Sequence, residues 1–151
     1  MAFQTYNKLL DGALQLASAT AVSSAATTNG TAVDLGQAAN AYGKFAVVID
    51  WSGLDVADGN ELYRMQVQGS TTSAFSTAYV LEEKRLGDST VNLQPVDTTA
   101  LGRVVLFCDN VAVTSASDSS SVATMQYIRL TCVSSGTTPA ITYSAWIVPV
   151  S

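Results

Sequence analysis

Apolar and polar side chains alternate along much of this chain, so that every second residue falls on the same side. In residues 44–51, Phe45, Val47, Ile49 and Trp51 share one side while Lys44 and Asp50 take the other. Tyr63, Met65 and Val67 alternate with Arg64, Gln66 and Gln68, and Ile128, Leu130 and Cys132 alternate with Arg129 and Thr131. A period of two marks a half-buried antiparallel strand, because successive side chains of an extended backbone point to opposite faces. Residues 31–35, 78–85, 103–108 and 141–148 read as further strands, with a weaker one at 20–24. Between these runs stand Asn29-Gly30, Gly43, Gly53, Asp58-Gly59, Gly69, Gly87-Asp88, Gly102 and Gly136, which permit tight turns or positive φ. About seven or eight short strands without a long helix call for a sandwich, a barrel or a jelly roll. Residues 114–121 and 134–139 are polar and read as surface loops.

The first thirty residues break the pattern. Phe3, Tyr6, Leu9, Leu10, Leu14 and Leu16 give way to a tract of small Ala, Ser and Thr residues. Residues 1–30 are therefore expected to form an arm or short helix, packing on its own sheet or on a neighbouring subunit. Residues 31–151 would form the sandwich. The six apolar residues named are the candidate contacts of that arm.

Composition narrows the function. The chain has 151 residues, 48% of them hydrophobic, which suits one domain with a real core. Only 13% are charged, and the net charge is −5. An acidic surface without a Lys/Arg cluster repels phosphate, so no nucleic-acid partner is expected. The longest apolar runs, 45–49 and 104–108, are far short of the ~20 residues a spanning helix needs. With no basic and apolar leader at Met1-Ala2-Phe3-Gln4, assembly in the cytoplasm without a membrane partner is expected. Cys108 and Cys132 sit among apolar residues and read as buried free thiols.

Candidate chemistry is sparse. The chain contains no histidine, which removes Ser-His-Asp and Cys-His arrangements and the common zinc sites together. Glu61, Glu82 and Glu83 offer carboxylates, yet nothing in their spacing pairs them across a cleft. Residues 55–61 cluster oxygen ligands around Gly59, but Ala57 and Gly59 fall where a calcium loop places ligands, so an Asp-Gly turn is the better reading. Trp51, Trp146, Tyr79, Tyr127 and Tyr143 could line a sugar-binding face; Trp51 shares the side of Phe45, Val47 and Ile49, and both tryptophans are read as core. No catalytic, metal-binding or cofactor-binding residue is assigned, and the chain is not expected to be an enzyme.

Three stretches nonetheless carry a likeness. Leu9-Leu10-Asp11-Gly12-Ala13-Leu14-Gln15-Leu16 with the small-residue tract behind it, and Ala32-Val33-Asp34-Leu35-Gly36, resemble the N-terminal region of tailed-bacteriophage capsid cement (decoration) proteins. The run from Tyr63 to Phe75, a strand ending in Gln68-Gly69-Ser70 followed by a polar turn and Phe75, is similar to a second pattern of that family. The resemblance implies an antiparallel β-sandwich of jelly-roll type that forms homo-oligomers, dimers or trimers, on the outer capsid surface. It implies the major capsid protein as partner, with no cofactor, and Phe3, Tyr6, Leu9, Leu10, Leu14 and Leu16 then become candidate subunit or capsid contacts. The alternatives are a phage tail or baseplate accessory protein and a carbohydrate-binding β-sandwich module.

Overall fold

The computed structural model describes residues 14–36, 43–87, 98–113 and 121–150. Among them are eleven strands: β1 (Gln15–Val22), β2 (Thr27–Asn29), β3 (Val33–Asp34), β4 (Lys44–Ser52), β5 (Leu62–Ser70), β6 (Tyr79–Gly87), β7 (Gly102–Asp109), β8 (Val111–Val113), β9 (Val122–Thr124), β10 (Tyr127–Ser135) and β11 (Ile141–Pro149). Sheet one has the order β1-β11-β4-β7 and sheet two the order β2-β10-β5-β6, with β3 also on β10; β8 and β9 form a separate hairpin. All pairings are antiparallel. The chain is thus an all-β sandwich, as its alternation predicts.

The pairings nest: β1 pairs with β11, the short β2 with β10, β4 with β7 and β5 with β6. Between the sheets lies one core. Phe45, Val47, Ile49 and Trp51 of β4 and Ala145 and Ile147 of β11 pack with Tyr63, Met65 and Val67 of β5 and Ile128, Leu130 and Cys132 of β10. Fully burying each large aliphatic side chain here stabilises by about 1.5–3 kcal/mol.

Two expectations about the chain's first part are corrected. The sandwich begins at Gln15 rather than at residue 31, because β1 is an edge strand of sheet one and β2 one of sheet two. The weak strand expected at 20–24 is the end of this longer β1. Leu16 is fully buried in the core and Leu14 packs against it, so both residues pack on their own domain. Phe3, Tyr6, Leu9 and Leu10 lie outside the described residues.

Two turns at one end of the sandwich are stapled together. Residues 55–61 do form a turn, with Gly59 at φ 73° and the Ala57 N–H donating to Asp55 Oδ1 over 2.9 Å. Thr137 N donates to Asn60 Oδ1 over 2.8 Å, Asn60 Nδ2 donates to Thr137 Oγ1 over 3.0 Å, and Thr138 Oγ1 donates to Asp58 Oδ2 over 2.8 Å. Beneath them, the Tyr63 hydroxyl accepts from Ala140 N and donates to Asp55 O, each over 2.8 Å. These bonds hold the β4–β5 and β10–β11 connections as one unit, which suits a rigid scaffold.

Candidate interaction surface

The outer faces of the two sheets differ. Sheet two carries a polar network. Gln66 Nε2 donates to Glu83 Oε2 over 2.8 Å, and Arg85 Nε donates to Glu83 Oε1 over 2.8 Å. Gln68 Nε2 donates to Gln66 Oε1 over 2.9 Å, and Gln68 Oε1 in turn accepts from Arg129 over 2.9 Å and from Thr131 Oγ1 over 3.1 Å. Arg129 also sits 4.2 Å above the Phe75 ring. Burial by itself would raise the Glu83 carboxyl, but the bonds from Gln66 and Arg85 and the charges of Arg85 and Arg64 outweigh it and hold the group below its ordinary range. Each polar side chain in this network has a partner on its own sheet.

Sheet one is the opposite. Its register places Phe107, Ala46 and Val148 side by side on β7, β4 and β11, with Val105, Val48 and Trp146 in the next row. All six alternate with core residues and so point outward. Phe107 is 70% exposed and Val105 44% exposed, whereas small Ala46 is covered. A third row, Arg103, Asp50 and Ser144, closes the patch with an ion pair in which Arg103 Nη2 donates to Asp50 Oδ2 over 2.6 Å. Beside Phe107 a shallow depression open to solvent is lined by Lys44, Phe45, Cys108, Asp109 and Val150. An outward face with adjoining rows of Phe, Trp and Val resembles an interface rather than a solvated β-surface.

Trp146 corrects a sequence expectation. The sequence reading places it in the core with Trp51, but only Trp51 lies there, 2% exposed with its Nε1 donating to Thr99 O over 2.9 Å. In β11 the buried residues are Ile141, Tyr143, Ala145 and Ile147, so the even-numbered Trp146 must face outward. The aromatic row needed for a sugar platform is not assembled. Tyr143 is core, Tyr79 packs against the core, and Tyr127 lies on sheet two.

The carboxylates are equally dispersed. Glu61 is fully buried under the stapled turns, Glu83 is in the sheet-two network, and Glu82 lies on β6 opposite Val67. Among the described residues no group of three or more Cys, Asp or Glu is placed to hold a metal ion. Both cysteines are free and buried, and burial pushes each thiol up to about 12. No helix among the described residues is long and apolar enough to cross a membrane. The chain matches no protein-family model and no curated protein.

Proposed function

We propose that this chain is a non-catalytic structural protein of a virion, a capsid cement of jelly-roll type that seats its apolar sheet-one face on the major capsid protein at the outer surface of a phage head. The carrying observation is that face: Val48, Val105, Phe107, Trp146 and Val148 project outward as neighbours in register. A monomer gains nothing by presenting them to water, whereas burying them against a lattice is favourable. The nested pairing of first strand with last, and so inward, supports the jelly-roll reading. The stretches similar to cement proteins support the partner. Binding only the assembled shell would stabilise it by mass action, summed over many copies.

Co-sedimentation with capsid shells stripped of this protein tests the reading. Saturable binding that raises the shell's heat resistance is expected, with Val148→Asp abolishing it while the fold is kept. Wild-type protein that leaves the shells untouched would overturn the proposal; binding to a tail structure or to a glycan array would then identify which alternative holds.

A further inference from the structure

The four lateral edges of the two main sheets are finished unequally. On β1 the register with β11 shifts twice, between Gln15 and Ala17 and between Ala17 and Thr20, and Ala19 has φ 43°. On β6 a bulge interrupts the register opposite Val67 and Gln68, and Glu82 and Lys84 stand opposite the core residues Val67 and Met65 and so point inward. The remaining edge is made of β2 and β3, only three and two residues long. Bulges, inward charges and short length are the devices by which sheets prevent edge-to-edge pairing. β7 has none of them. Its eight residues keep unbroken register with β4, it contains no proline, and its inward residues Val104, Leu106 and Cys108 are apolar. Among the described residues no strand pairs with its other side.

The outward residues of β7 read Arg103, Val105, Phe107, Asp109. This order is complementary to its own reverse. Two copies of β7 laid antiparallel about a two-fold axis at Leu106 bring Val105 opposite Phe107 and Arg103 opposite Asp109. The neighbouring strands extend the match. Lys44 stands opposite Asp109 and Asp50 opposite Arg103 in the register of β4. The row across the joint is then Lys44, Asp109, Arg103 and Asp50, the last two from the second copy, with alternating sign throughout. Arg103 already bonds Asp50, and a guanidinium with five N–H donors can serve two carboxylates. One step further out, Leu101 and Val111 meet in the same count, and both are exposed, 71% and 44%. Sliding the register by two residues either way loses the charge match.

We propose that a second copy of this chain docks on the β7 edge by antiparallel strand pairing, with Arg103 opposite Asp109 and Val105 opposite Phe107, forming a two-fold dimer with one continuous sheet. This goes beyond the function proposed above, which concerns the outer face of sheet one and not its edge. Its test needs no capsid, so the two can fail separately.

The test uses two charge reversals on the full chain, Arg103→Glu and Asp109→Lys. Native mass is measured by light scattering and sedimentation velocity. Wild type is expected to be a dimer. Each variant alone carries two like-charge pairs across the joint and should weaken dimerisation by at least about tenfold. An equimolar mixture should regain the dimer. One copy then carries a carboxylate at position 103 facing an ammonium at position 109 of the other, while the second pair keeps the native Arg103 and Asp109. Recovery on mixing also shows that both variants are folded. A wild-type monomer, variants that stay dimeric, or a folded mixture that stays monomeric, as judged by circular dichroism, would each overturn the proposal.

Discussion

The Tyr63 hydroxyl offers the cleanest test of how the scaffold is held. Tyr63→Phe removes one oxygen and leaves the ring, which is fully buried, in place. That oxygen accepts from Ala140 N and donates to Asp55 O over 2.8 Å each, with Ala140 O a second acceptor at 3.1 Å. Ala140 O keeps a donor in the variant, since Asp55 N reaches it over 2.9 Å. Ala140 N and Asp55 O do not keep this partner. Two net hydrogen bonds at about 1 kcal/mol each, plus part of the cost of two stranded backbone groups, give a loss of about 2–3 kcal/mol. For a chain of this size that lowers Tm by roughly 4–12 °C. Urea unfolding should show a lower midpoint at unchanged slope. The pH dependence supplies a second readout. Burial, ahead of every other cause, raises this phenol from 10.0 to about 12, so between those values the unfolded chain loses the proton while the folded chain keeps it. The hydroxyl's contribution is therefore complete below pH 10 and fades as pH climbs toward 12, and the gap between wild type and variant should close over that window. A loss under about 0.5 kcal/mol near neutral pH would refute the reasoning and mean that water replaces the hydroxyl at both groups.

Two other positions carry definite expectations. A Cβ at Gly102 would stand 2.3 Å from Trp51 Cζ2, so Gly102→Ala should cost about 1–3 kcal/mol and shift the tryptophan emission; an unchanged melting curve would show that the ring yields freely. Cys108 and Cys132 are buried with thiols raised to about 12, so a thiol reagent at pH 8 should label neither until the chain is unfolded, and rapid labelling of the native protein would refute their burial.

The sandwich is legible where one face of a strand is apolar and the other charged or amide. β5 and β10 are read correctly because Arg64, Gln66, Gln68, Arg129 and Thr131 interrupt their core residues. β1 is not, since Ala17, Ser18, Ala19, Thr20 and Ala21 give little contrast between faces, and two register shifts break the period. Strands β2, β8 and β9 have three residues each, too few to show alternation. The apolar outer face of sheet one does leave a trace. Residues 45–49 and 104–108 are apolar without interruption, and Ala145, Trp146, Ile147 and Val148 continue the theme in β11. Such runs in an antiparallel sheet put apolar residues on its outer face as well as on its inner one. Weighed only as membrane spans, they locate nothing. Set side by side by the topology as β7, β4 and β11, they delimit the surface.

Under the proposed pairing, the unequal finishing of the edges also sets the valence of the chain. A sandwich with two open edges would add copies without limit and grow into a ribbon, since each new subunit would offer a fresh docking site. With the bulges on β1 and β6 and the shortness of β2 and β3, the proposed pairing has one edge to use among the described residues, that of β7. Pairing through that edge would consume it in both partners, so growth would terminate after one step at any concentration.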